Sequence, residues 1–373
     1  MLVADIRVVQ QIRNGKNNVE KWNAWRLKQQ SEVIDLEEVD LSGLLLTKIN
    51  LSQVKLSQVN FSRTDLTYAN LSGADLSGAT FPNANLHGAD LSNAILRQAN
   101  FSQANLENVN FTEADLRFVD LRGLNLGDAN LSGADLREVN FSGTNFIKGN
   151  FNGANLSGAN LSNANLSGAN LSNANLSGAK LSKANLKGAL LTRANLCGAI
   201  LDGADLSMAG CLMANFSEAI LNQAILNKAN LGGAILSGAQ LVRAELQNSF
   251  LGDAFLSMAN LTKANLSQAD FSRACLYKAN LSQSICIGTK FRHAELQEVD
   301  FSMAMLRQAN FGVAQLQQAY LCDANLAGAS LIGTNLENAN LTKANLTGVI
   351  IESTIWTGAN LEGVIGIKKK QSV

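Results

Sequence analysis

The chain has 373 residues, with 30 Lys and Arg against 30 Asp and Glu, so its formal net charge is zero. That balance argues against the basic surface of a nucleic-acid binder and against the strongly acidic surface of a nucleic-acid decoy. Charged residues are 16%, aromatics 6% and proline occurs once, which excludes Pro-rich linkers; 46% hydrophobic residues suffice for a core and exclude simple disorder.

Residues 1–33 read as helical. One helix is expected from about Ala4 to Arg13, with Ile6, Val9 and Ile12 along one face and Gly15 as its stop. A second is expected from Asn18, an N-cap residue, to Gln30, carrying Val19, Trp22 and Trp25. Asp5, Arg7, Gln10, Gln11 and Arg13 break any apolar stretch of leader length, and no run approaches 18 apolar residues. The five cysteines, Cys197, Cys211, Cys275, Cys286 and Cys322, lack disulfide or zinc spacing. A cytoplasmic protein with reduced thiols is the expectation.

From Leu36 onward a period of five takes over and holds to Leu361 without insertion or deletion. Each fifth position is Leu or Phe, except Cys211, Cys286, Ile351 and Trp356. Two residues before each centre is a second register, bulky at Ile34, Val39, Leu44, Ile49, Val54 and Val59 and mostly Ala from Ala69 onward; Leu44 and Leu124 are the leucines there and are expected to widen the structure locally. A helix cannot bury such a set, because five steps of ~100° leave ~140° between successive leucines. A straight strand cannot either, because an odd step sends alternate centres to opposite faces. A short extended piece followed by a bend, repeated every five residues, winds the chain into coils filled with Leu, Phe and Ala. This arithmetic leaves the number of sides per coil open.

The run Ala-(Asn/Asp)-Leu-x-x, as in Ala154-Asn155-Leu156-Ser157-Gly158, resembles the pentapeptide-repeat family over residues 34–363. The resemblance implies an all-β fold, a right-handed quadrilateral β-helix of about 16 coils and roughly 80 Å in length at a ~4.8 Å strand spacing. The stretch Val19-Glu20-Lys21-Trp22-Asn23-Ala24-Trp25-Arg26 is similar to the leader of many cyanobacterial members. On that reading residues 1–33 form a small α-helical cap, with Trp22 and Trp25 plugging the first coil. Residues 364–373 are then a C-terminal tail ending in Lys368-Lys369-Lys370 before Gln371. The apolar cluster Ile350, Ile351, Ile355 and Trp356 offers either an end-to-end homodimer, as the family implies, or a seat for that tail.

His87 and His293 are the only histidines, and both fall in the turn positions after a centre, far apart. No convergent set for catalysis or for a metal follows, and no cofactor, membrane or nucleic-acid partner is expected. If a coil has four sides, residues 20 apart stack. Arg97, Arg117 and Arg137 then line up beside Asp115 and Asp135, and residues 151–180 form a bland Asn/Ser/Gly spacer. Between 190 and 320 the outward residues change character. Leu190, Leu212, Met213 and Phe250 share one side; Ile235, Phe255, Met258 and Tyr277 share the next, with Arg273 and Arg292 close by. Apolar side chains beside basic ones suit a protein partner. The leading expectation is a rod-shaped, non-catalytic interaction or scaffold protein. The alternative, from the acidic members of the family, is a DNA mimic acting on a type II topoisomerase.

Overall fold

The computed structural model describes residues 6–13, 18–29 and 33–366, in two compact units, Met1–Asn185 and Leu186–Val373. In each unit the residue before a centre forms a one-residue parallel β-bridge with the residue 20 further on, as in Asn70↔Asp90 and Phe255↔Cys275, and Asn105 and Asn125 are an exception that does not pair. A step of 20 at a period of five means four pentapeptides per coil, so the open question of the number of sides is answered by the ladder itself.

The hydrogen bonding of one repeat accounts for the consensus. Leu71 N–H donates to Asp90 O at 2.7 Å, Gly73 N–H to Ser92 O at 2.8 Å, and Asn70 N–H back to Ile49 O at 2.8 Å. Ala74 N–H closes the turn onto Leu71 O at 3.1 Å. The remaining donor, Ser72 N–H, is taken by the side-chain oxygen of Asn70 at 3.0 Å, an Asx turn. All five backbone donors are therefore satisfied, one of them only because Asn or Asp precedes the centre. The second turn residue has a positive φ throughout, near +60°, which glycine adopts freely and other residues adopt under strain.

Every fifth residue from Leu36 to Leu346 is at most 1% exposed, so both units have dry interiors. Phenylalanines 20 apart stack at the strand spacing: Phe81 on Phe101 at 4.8 Å, Phe271 on Phe291 at 5.4 Å. Two centres are cysteines, and burial pushes the Cys211 thiol up to about 12; Cys286 also reaches about 12, from burial partly offset by the Ser284 hydroxyl. Iodoacetamide at pH 8 should therefore leave Cys211 and Cys286 unlabelled in the folded protein and label them in urea, as read by peptide mass spectrometry. Labelling of either at the rate of free thiol would contradict the buried register.

The bulky residues Leu44 and Leu124 are half-exposed rather than swallowed. Around Leu124 the structure parts instead of widening. The bonds from Gln98, Phe101, Gln103 and Leu106 to the coil at Arg117, Asp120, Arg122 and Asn125 are missing, as are the return bonds from Asp120 and Asn125 to Ala99 and Ala104 and the bond from Phe118 to Arg137. A groove of about 980 Å³ opens there, lined by Phe118, Arg122 and Leu124 among others. A leucine where the coil has room for alanine is overpacked, and relief comes at the weakest bonds nearby. Leu124→Ala should close the ladder and stabilise the first unit by about 1–2 kcal/mol in denaturant titration. A loss of stability would mean that Leu124 fills space the alanine leaves empty.

Helix α1 spans Ile6–Arg13 and α2 spans Asn18–Arg26. The second helix is shorter than expected, ending at Arg26, with residues 27–29 turning away through bonds from Lys28 N–H to Trp25 O and Gln29 N–H to Arg26 O. Ala4, Gly15 and Gln30 lie outside the described residues. Asn18 accepts from Val19 N–H at 2.9 Å and reaches Ile12 O with its amide, tying α2 to α1. Trp22 is fully buried and Trp25 half-buried, their rings 5.1 Å apart. Three α2 side chains meet the backbone groups that a preceding coil would otherwise engage. Trp22 Nε1 donates to Asn50 O at 2.6 Å, Asn23 Oδ1 accepts from Asn50 N–H at 2.8 Å, and Arg26 Nη2 donates to Ser52 O at 2.7 Å. Arg13 adds a bond to Asp40 O at 3.0 Å. Burial pushes the pKa of Arg26 downward, and its Nε has no partner among the described residues.

The last coil of the second unit is different. The centres Ile351, at 42% exposure, and Trp356 and Leu361, half-exposed, are in contact with water although their register is buried up to Leu346. Ile350 and Ile355, each before a centre, and Ile365 in the same phase add exposed apolar residues. The lysine triplet and the rest of the tail from 367 lie outside the described residues.

Candidate protein-interaction surface

The expected patch falls within the second unit, and the ladder places its residues as the step of 20 requires. One side carries, in stacking order, Leu190, Gly210, Asn230, Phe250, Asp270 and Lys290; the adjoining side carries Asn195, Asn215, Ile235, Phe255 and Cys275. Leu212 and Met213 belong to the turn after the first of these sides, Met258 and Tyr277 to the turns after the second. All eight apolar candidates are exposed, by between 38% and 64%. Arg273 lies on the corner between the two sides, and Arg292 one coil further along the first.

Four of these residues, Leu190, Ile235, Phe250 and Phe255, occupy the position before a centre, where the fold uses Asn or Asp to accept the turn N–H. The neighbouring Asn230 does this for Gly232 N–H at 3.1 Å. The apolar replacements forgo that bond and place hydrocarbon in water, so they cost the fold something and return little to it.

The surface around Phe250 is indented. A Cβ at Gly232 would come within 2.8 Å of the Phe250 ring and 3.2 Å of Leu212, and one at Gly252 within 2.5 Å of Phe250. The ring therefore lies across a wall made bare by two glycines. A recess of about 240 Å³ results, lined by Leu212, Met213, Gly232, Gly233, Phe250, Gly252 and Asp253. The sequence reading missed this recess.

Charges frame it. Arg273 grips Asp253 through two bonds of 2.7 Å, which hold the carboxyl below its usual range. Lys290 approaches Asp270 at 3.5 Å. Burial pushes the Asp270 carboxyl up, but bonds from Ser272 and the nearby Lys290 bring it below the ordinary value. Lys278 pairs with Glu298 at 3.3 Å and sits 5.0 Å over the Tyr277 ring, whose hydroxyl donates to Glu298 at 3.0 Å. Both carboxylates on the Phe250 side are thus engaged. Among the described residues Arg193, Lys228 and Arg292 form no ion pair.

The acid–base column of the first unit is a closed network. Arg97 meets Asp115 at 2.6 Å, Arg117 meets Asp115 at 2.8 Å and Asp135 at 3.3 Å, and Arg137 meets Asp135 at 2.6 Å. Hydrogen bonds from Arg117, with others from Arg97, hold Asp115 far below the carboxylate range. His87 Nδ1 lies 3.9 Å from Glu107, and His293 is exposed in its turn. Among the described residues no three His, Cys, Asp or Glu side chains converge as metal ligands, and no helix is long and apolar enough to cross a membrane.

A four-sided solenoid with a centre every five residues is a pentapeptide-repeat architecture. The Pentapeptide repeats (8 copies) family matches the chain in overlapping stretches from 34 to 352, with short gaps after 209 and 312. The chain belongs to the pentapeptide-repeat family, whose fold is a right-handed quadrilateral β-helix. Solved structures similar to it include HetL from the cyanobacterium Nostoc sp. strain PCC 7120, a protein involved in heterocyst differentiation regulation. HetL is 36% identical, over 59% of this chain and 91% of HetL, with a TM-score of 0.29. Rfr23 from the cyanobacterium Cyanothece 51142 is 36% identical over 29% of this chain and 64% of its own, with a TM-score of 0.14. QnrB1, a plasmid-mediated fluoroquinolone resistance protein, is 23% identical over 56% of this chain and 92% of its own, with a TM-score of 0.23. No curated protein matches the chain significantly.

Proposed function

We propose that this chain is a non-catalytic protein-interaction module whose partner surface is the pair of adjoining sides bearing Leu190, Leu212, Met213, Ile235, Phe250, Phe255, Met258 and Tyr277, with α1 and α2 capping the first coil. The observation that carries it is that, although apolar residues replace Asn or Asp before a centre on all four sides, the two phenylalanines at that position, Phe250 and Phe255, stand on adjoining sides beside the exposed Leu212, Met213, Met258 and Tyr277. Benzoyl-phenylalanine placed at Phe255, and in a control at Asn160 on the spacer, tests the reading in extracts of the source cell. A discrete crosslinked species from position 255 alone is expected. Identical products from both positions, or none from either, would reject it.

A second reading concerns the open coil end. Ile351 is the first centre left in water, at 42% exposure, and a second copy end to end would cover it. Light scattering should then give twice the mass of one chain, and one mass for Ile351→Glu; a monomer in both cases removes the dimer. The topoisomerase-mimic reading has weaker support, because the carboxylates of Asp115 and Asp135 are engaged by arginines rather than displayed. Unimpeded supercoiling by gyrase in the presence of the protein is the expected result.

A further inference from the structure

We infer that the recess over Gly232 and Gly252 is the anchor pocket of this surface and that it takes a peptide segment carrying one bulky apolar side chain flanked by acidic residues. This rests on the interaction reading above and adds the chemistry of the partner.

The pocket is a device of sequence as much as of shape. At the first turn position the repeats mostly carry polar residues, and glycine stands there only at Gly127, Gly232, Gly252 and Gly312. Two of these four lie side by side under one phenylalanine ring. The absence of both side chains lets the Phe250 ring lie against the backbone, and the recess opens between that ring and Leu212 and Met213. The volume of about 240 Å³ holds one leucine or phenylalanine side chain.

Charge selects what surrounds that anchor. On the Phe250 side Asp253 and Asp270 are neutralised by Arg273 and Lys290, whereas Arg193, Lys228 and Arg292 make no ion pair among the described residues. The side therefore carries a surplus of unpaired cation around an apolar floor. From Arg193 to Arg292 is five coil steps, about 24 Å, the reach of about seven extended residues. An anionic bilayer would also meet cations and hydrocarbon, but a flat surface leaves a one-side-chain recess empty, so a peptide fits better.

The test uses the full-length chain and three pools of fluorescein-labelled 12-residue peptides. The first fixes a central Leu or Phe with four Asp or Glu around it, the second replaces the acids with Lys, and the third replaces the apolar anchor with Ala. The first pool should bind with a Kd under about 100 µM in fluorescence anisotropy and the other two at least tenfold more weakly. Gly232→Leu, which displaces the Phe250 ring and blocks the recess, and Arg292→Glu should each weaken the first pool at least fivefold, and Arg292→Glu should leave the melting temperature unchanged. Equal binding of the Ala pool means charge alone and overturns the inference, as does binding of phosphatidylglycerol vesicles with none of the peptides. If all pools fail while position 255 still crosslinks a discrete partner, the acidic-apolar chemistry is wrong and the surface stands. If both fail, both readings fall.

Discussion

Leu156→Asp should cost the first unit at least 4 kcal/mol and is expected to abolish its cooperative thermal transition. Leu156 is fully buried, and the ladder stacks it between the coils of Leu136 and Leu176, both equally dry. Three losses add. Burial of the leucine, worth about 2 kcal/mol, disappears. A cavity remains, because neighbouring coils are held by their ladders and collapse little. A carboxyl group enters a region in which every backbone donor already has a partner, so nothing is left to solvate it. The sign with pH identifies the mechanism. Burial raises the carboxyl pKa in the folded state above its unfolded value near ~3.9, so the penalty is largest at neutral pH and shrinks as the group protonates on acidification. The gap between variant and wild type, each melted at pH 7 and pH 4 and followed by circular dichroism, should therefore narrow at pH 4. Asn163→Asp, an exposed turn residue with φ near +59°, is the control and should change little. A Leu156→Asp protein that melts like the control would mean that the centres are not inside.

The reason so much was legible is that one periodicity carries both registers of the core. A step of five can bury the same residue in each repeat only if the chain bends each time, and that conclusion needs no tertiary information. The number of sides is another matter. Nothing in Leu36, Leu41 and Leu46 says whether the fourth or the third bend closes a coil; that is decided by which carbonyl Leu36 N–H meets, and it meets Lys55 O, 19 residues on. The Asn before each centre was visible as a column, yet its main work is local, accepting the turn N–H two residues later. Trp22 was anticipated at the first coil. Asn23 and Arg26 were not, because their partners are the backbone of Asn50 and Ser52, which the side-chain pattern does not reveal. Leu124 was seen to be too large, but the pattern cannot tell whether a tube widens or its ladder parts. The patch on the second unit was readable because a step of 20 converts sequence directly into neighbours. The recess escaped because Gly232 and Gly252 look like ordinary turn glycines until their position within the repeat is compared with that of Gly233 and the many glycines one residue later. Where local rule and observed residue disagree, as at Phe250 and Phe255, the fold gains little from the residue, and the proposed partner surface rests on that disagreement.

That disagreement can be measured with one substitution made at two kinds of site. Phe250→Asn and Phe255→Asn, combined, should leave the second unit as stable as before or more so, whereas Phe271→Asn should cost about 4 kcal/mol or more. Phe271 is a centre, fully buried and stacked on Phe291 at 5.4 Å, so asparagine there loses a large side chain and buries an amide without partners. At 250 and 255 the ring is about half in water, so removing it forgoes on the order of 1 kcal/mol of burial. In return asparagine at 250 can accept Gly252 N–H as Asn230 accepts Gly232 N–H, and its amide can reach the Asn230 side chain as Asn215 reaches Asn195 at 3.2 Å. Two such bonds offset the loss at about 0.5–1.5 kcal/mol each. A structural role and a partner role then separate cleanly. If the apolar pair serves the fold, the double variant melts early and any lost crosslinking at Met258 is trivial. If it serves a partner, stability holds while crosslinking at Met258 falls at least tenfold. Differential scanning calorimetry beside quantitative crosslinking distinguishes the two, and an early-melting double variant would remove these two sides from consideration as a docking surface.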